Sequence, residues 1–145
     1  MTHAHLAAPT PAGVPAGASP DDRYQPGVCN IGPAEIARRR RAGHIGVAVT
    51  LAVYAVLVVA HVPPLARLIV GLPAAGAASG YLQAGLRFCA GFASQGVFNF
   101  GQLGQTEQVV DPEAHRRDRR RANQILLGSL TAGAIVAIVA VLVPR

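Results

Sequence analysis

Cys29 and Cys89 carry the most chemical promise in this 145-residue chain, which holds two cysteines in all. A thiolate is a nucleophile and a soft-metal ligand, so two thiols at one face could exchange as a redox pair, carry a persulfide or bind a soft metal. Arg87 lies two residues before Cys89, and its charge would favour the thiolate there. The competing reading is plain. Cysteine is also an ordinary small buried residue, cytoplasmic thiols stay reduced, and no CxxC spacing is present. The five histidines, His3, His5, His44, His61 and His115, form no ligand pattern, so neither a zinc site nor another metal or cofactor is expected. No nucleotide loop and no nucleophile-plus-base motif occurs, which predicts a protein without catalysis.

The elements that would position the cysteines follow from the distribution of charge. Charged residues make up only 14% of the chain, against roughly 25% in soluble domains. They sit in clusters separated by three long uncharged runs. Ile45 to Val62 is rich in valine, and as far as Ala60 its only polar side chains are Thr50 and Tyr54. In water that valine content would hint at strand; in a bilayer a helix alone satisfies its own backbone. Leu68 to Leu86, between Arg67 and Arg87, is weaker, with an insertion gain of roughly 2–4 kcal/mol before Pro73 and four glycines are counted. Ile125 to Val143 has eleven large aliphatics and a gain of roughly 3–6 kcal/mol. The expected fold is therefore an all-α integral membrane protein with three transmembrane helices, a hairpin plus a third span. No charge sits inside a span, which argues against an ion or proton relay.

Small residues mark the faces on which these helices would pack. Gly76, Gly80 and Ala84 form one row on the second span, Gly71, Ala75 and Ser79 another. Ser129, Gly133 and Ala137 share a face of the third. Such rows let backbones approach closely, which drives association where lipid removes the hydrophobic effect. His61 to Arg67, with Pro63 and Pro64, makes a tight turn between the first two spans.

Ten arginines (38–41, 87, 116, 117 and 119–121) fall on one side of this arrangement, and only Arg67 and Arg145 on the other. The positive-inside bias then predicts a cytoplasmic N-terminus in an inner, or plasma, membrane. All basic residues are arginine, which with the Ala, Gly, Pro and Val content suggests a GC-rich bacterial genome. The formal charge of +6 points to anionic lipid head groups and not nucleic acid, because the arginines border apolar runs without interleaved aromatics. Four regions result: a disordered Pro/Ala-rich tail over 1–28, a two-helix hairpin with interfacial flanks over 29–101, a basic cytoplasmic loop over 102–124, and the third span over 125–143. The aromatic stretch from Phe88 to Gly101 either lies at the interface or folds back on the hairpin.

Two motifs flank the hairpin. Asn30, Gly32, Glu35, Arg39 and Gly43 precede the first span; Phe88, Cys89, Phe92 and Gly96 follow the second. Together they resemble the YgaP-type transmembrane domain, a bacterial membrane hairpin found alone or fused to a rhodanese domain. Ile36 and Ala90 depart from its pattern, which has Arg and Pro there. The resemblance covers about residues 29–99 and implies a two-helix hairpin that associates through its helices; with no rhodanese domain, sulfurtransferase activity is not implied. Read without the family, Asn30 to Gly32 suit a helix cap before Pro33, and Glu35 and Arg39 are an i,i+4 pair. Residues 33–41 then form either a short surface helix or the start of the first span. The leading expectation is an accessory or scaffold protein that forms a homo-oligomer or binds a membrane partner. The rival is thiol, persulfide or soft-metal handling by Cys29 and Cys89, and a third reading is an oligomeric small-solute or ion pathway.

Overall fold

The computed structural model describes residues 23–143. Helix α1 (Pro33–Val59) begins on Gly32 with Pro33 in its first turn, where proline's missing N–H costs nothing, and Glu35 lies near its positive end. It runs unbroken from Pro33, so the basic residues 38–41 extend the first span and do not form a separate surface helix. Only Glu35 and Gly43 are buried along it. The chain then turns through His61 in the left-handed region (φ 54°) and Pro63.

The second span differs from a single straight helix. A 3-10 helix (Pro64–Val70) leads into α2 (Gly71–Gly85). At 1.5 Å per residue α2 reaches only about 22 Å, short of the roughly 30 Å hydrocarbon core. The 3-10 turn adds about 14 Å, and the two together are long enough to cross. Pro73 falls in the first turn of α2, where no intrahelical bond is lost.

A short helix, α3 (Ala90–Gln95), ends on Gly96 in the left-handed region (φ 69°). Strands β1 (Val97–Phe98) and β2 (Glu107–Gln108) then pair antiparallel, with Val97 opposite Gln108 and Phe98 opposite Glu107. Helix α4 (Pro112–Leu142) starts thirteen residues before the apolar run and absorbs residues 112–124, which the charge pattern assigns to a loop. The reason is local. Asp111 caps the helix, accepting from the N–H groups of Glu113 (2.9 Å) and Ala114 (3.3 Å), and Pro112 occupies the first helical position. Of the tail, residues 1–22 lie outside the described residues, while 23–28 pack against α4 and β1.

Helix α2 is the middle of the bundle and runs antiparallel to both neighbours. Toward α1, a Cβ added to Gly80 would sit 2.6 Å from the Gly43 nitrogen, and one added to Gly46 would sit 2.8 Å from the Ala77 Cα. Toward α4, a Cβ on Gly71 would meet the Gly133 carbonyl at 2.9 Å and Ala137 at 3.0 Å, and one on Gly133 would meet Ala75 at 2.7 Å. Ser129 is buried too, and its hydroxyl donates to the Ile125 carbonyl (2.7 Å). Gly76 departs from the expected row. Nothing approaches its would-be Cβ within 4 Å, and its partner contact is taken by Ala77, which with Gly80 and Ala84 faces inward. Both small-residue seams therefore close the chain on itself.

Among the described residues, three helices are long and apolar enough to cross a membrane. Their outer faces carry large aliphatics such as Ile45, Leu51, Val56, Leu126 and Ile138, a surface suited to hydrocarbon and unlike that of a soluble monomer. At the end away from the arginine clusters, Arg67 is buried to 1% exposure, and its Nη1 donates to the carbonyls of Val143 (3.2 Å) and Ala140 (3.5 Å). A cation on the last carbonyls of α4 complements the negative end of the helix dipole.

Candidate functional site

The antiparallel packing brings the start of α1, the end of α2 and the start of α4 to one end, so the arginine clusters converge there. At this basic end Phe88, Ala93, Ala122 and Ile125 form an apolar core that docks α3 on α4. Above it lies a polar lattice built around Cys89.

Helix α2 ends at Gly85, and Arg87 in the left-handed region (φ 52°) turns the chain so that Phe88 and Cys89 point inward. Asn30 then clamps the Cys89 backbone from both sides. Its Nδ2 donates to the Cys89 carbonyl (3.1 Å), and the Cys89 N–H donates to its Oδ1 (2.6 Å). The Asn30 backbone bonds Arg87 and Asn99, and the Gly32 N–H donates to the Asn99 carbonyl (2.7 Å). Gly32 is required at this crossing, because a Cβ would come within 3.0 Å of the Phe100 backbone. Gln83 completes the clamp, accepting from the Ala90 N–H (3.1 Å).

The Cys89 sulfur caps α3, accepting from the Phe92 N–H at 3.4 Å, and it accepts from Arg39 Nη2 at 2.8 Å. Two N–H donors converging on one sulfur form an arrangement that an anionic sulfur accepts better than a neutral one. Arg39 is itself positioned. Glu35, one turn earlier on α1, lies 3.9 Å from the same nitrogen and 3.3 Å from Arg38, and the Arg39 guanidinium sits 6.0 Å from the Phe92 ring centre. Glu35 is 1% exposed and its oxygens accept no hydrogen bond, so its charge is compensated by these arginines and by the positive end of α1.

Arg87 and Arg39 divide between the two cysteines. The Arg87 charge acts on Cys29, where it opposes the upward shift that burial imposes on that thiol, while Arg39, fifty residues away in sequence, reaches Cys89. Cys29 is half-buried and Cys89 fully buried; both are free thiols. Gly43 packs on Tyr81, and Gly96 lies under the His115 ring.

A latch closes over this lattice. Asp118, fully buried, accepts from the Tyr24 hydroxyl (2.7 Å) and the Gly27 N–H (2.7 Å), and the Tyr24 ring stacks on Phe98 with centroids 4.7 Å apart. Burial and the bond to Asp118 push the Tyr24 phenol well above its ordinary range. Asn99, Gln83, Tyr24 and Asp118 are absent from the sequence-based site. Asp118 alone left a trace, as the single acid inside the arginine run 116–121. Among the described residues no group of three His, Cys, Asp or Glu side chains could hold a metal ion.

No protein-family model matches this chain, and neither the curated proteins nor the solved structures contain a match.

Proposed function

We propose that this is a multi-pass membrane protein that handles thiol-bound sulfur at its basic face, with Cys89 as the reacting residue. The observation that carries the reading is the 2.8 Å contact between Arg39 Nη2 and the Cys89 sulfur, backed by the Phe92 N–H. In the proposed step the Cys89 thiolate attacks the sulfane sulfur of a low-molecular-weight persulfide. The new S–S bond forms on Cys89, the donor's S–S bond breaks, and the donor departs as its own thiolate. Cys89 is fully buried beside Arg39 and Phe92, so the step requires these side chains to move aside and admit the donor. The ten arginines at this end support a cytoplasmic placement for it and for the N-terminus, in a bacterial inner membrane. The motif residues Asn30, Glu35, Arg39, Phe88 and Phe92 lie in or beside the lattice, with Gly32 and Gly96 at its close backbone approaches and Gly43 in the adjoining seam.

The test is to incubate purified protein with glutathione persulfide and locate added sulfur by mass spectrometry. A mass increase of one sulfur on Cys89, retained in Cys29→Ser and reduced in Arg39→Gln, is expected. No label on Cys89, or equal label in Arg39→Gln, would refute the proposal.

A second reading, a non-catalytic accessory that associates in the membrane, is favoured by α1, whose apolar window is only 6% buried within the chain. Gly76→Ile tests that reading, since it alters an open face without touching either seam. Unchanged crosslinking in membranes would remove Gly76 from any interface.

A further inference from the structure

Outside the lattice, α1 and α4 splay apart over the small residues of α2 and leave an apolar groove of about 360 Å³. Val47 and Leu51 of α1 form one wall, Ala132 and Val136 of α4 the other, and Ala74 and Ala78 lie at its base. Thr50, also in the lining, gives its hydroxyl back to the Gly46 carbonyl (2.7 Å), so its donor is already satisfied. Polarity appears only at the end nearer the arginines. There Tyr81 lines the groove and its hydroxyl bonds His44 Nδ1 at 2.6 Å, leaving His44 Nε2 as the ring's remaining polar position. Arg40, His44, Val47 and Leu51 fall at i, i+4, i+7 and i+11, one stripe of α1. The groove wall thus continues, within two turns, into a histidine and then an exposed arginine that makes no ion pair among the described residues.

We propose that this groove is a binding site for an anionic phospholipid, with one acyl chain lying along Val47, Leu51 and Ala78 and the phosphate held by Arg40 and His44. The charge sequence selects the occupant. An apolar trough opening onto cationic groups at the membrane surface matches an acyl chain ending in a phosphate, and the acyl chain has no polar group for the trough to satisfy. Lipid is also the surrounding solvent, so the site needs only to prefer one head group over another. The inference stands independently of the chemistry of Cys89, since none of its residues touches the sulfur.

The experiment reconstitutes the full chain in nanodiscs of equal phosphatidylglycerol and phosphatidylcholine, then counts the lipids retained by native mass spectrometry. Phosphatidylglycerol should be kept over phosphatidylcholine by roughly fivefold or more, the ratio that one surface arginine supplies. Arg40→Gln, at an exposed position outside the packing, should erase most of that preference. Ala78→Leu and Ala132→Leu fill the groove from different helices and should each reduce retention; two variants guard against misfolding of either. Equal retention of the two lipids by the unmodified chain would overturn the proposal. So would a preference that Arg40→Gln abolishes but neither groove-filling change affects, because the head group would then be held at the surface with the groove empty.

Discussion

The membrane seams and the basic-end lattice hold the same three helices together by opposite means. In the seams, glycine and alanine remove side chains so that backbones touch: Gly43 and Gly46 against Ala77 and Gly80, Gly71 and Ala75 against Gly133 and Ala137. Fit is the whole interaction, because lipid supplies no hydrophobic drive between helices. In the lattice, an amide and a carboxylate reach across large sequence separations, Asn30 to Cys89 and Asp118 to Tyr24 and Gly27, and Gln83 adds a local bond to Ala90. There each of these polar groups has a named partner, so losing one orphans the other. A seam excludes even one added carbon at its glycines. The lattice tolerates neither loss nor isosteric blunting of its polar atoms.

The largest effect should come from breaking a seam. Gly80→Ile places a branched side chain where a Cβ alone would fall 2.6 Å from the Gly43 nitrogen. A cost of about 3 kcal/mol or more is expected, read as a lowered melting temperature by circular dichroism in detergent. Gly76→Ile, one turn away in open space, should leave the melting temperature nearly unchanged. Equal losses in both variants would mean that the seam is not where the backbones meet.

Next is the lattice. Asn30→Ala leaves the Cys89 N–H and carbonyl without their side-chain partner, and should cost about 2 kcal/mol in the same melt. Asn30→Asp sharpens the point, since it keeps an acceptor for the N–H and loses the donor, and so should recover only part of the loss.

The latch predicts a smaller effect that depends on pH. The folded protein holds the Tyr24 phenol above its ordinary value of 10.0, with burial the leading cause and Asp118 the next. The folded state then binds the proton more tightly than the unfolded state. Stability from this group is complete below about pH 10 and falls as pH rises beyond it. Tyr24→Phe should flatten that alkaline decline while leaving the remaining tyrosines to titrate. An unchanged slope between pH 9 and 11 would separate Tyr24 from Asp118. Smallest of all, Glu113→Gln removes an exposed pair with Arg116 and should shift stability by less than about 0.5 kcal/mol.

The difference between the two regions also explains what could be read from the residues alone. Uncharged runs point to spans because hydrocarbon excludes charge, and each falls in a helix long and apolar enough to cross a membrane. Helical spacing places Gly76 and Gly80 on one stripe without saying where its edge lies: Gly80 is buried with Ala77 and Ala84, while Gly76 faces open space. The start of α4 was hidden by its arginines, although Asp111, Pro112 and Glu113 carry a capping signature. The lattice was legible only in part. Glu35 and Arg39 form a local pair and could be read. The reach of Arg39 to Cys89, the clamp of Asn30 and the burial of Asp118 depend on how distant segments meet, which local pattern does not encode.

The proposed function rests on the contact between Arg39 and the Cys89 sulfur governing the reactivity of that thiol. Its sharpest test is the rate at which iodoacetamide alkylates Cys89 at neutral pH in the Cys29→Ser chain, in native membranes, with and without Arg39→Gln. A several-fold slower reaction in Arg39→Gln, restored in part by Arg39→Lys, is predicted. An equal or faster rate would show that the guanidinium only covers the sulfur, and would contradict the central claim.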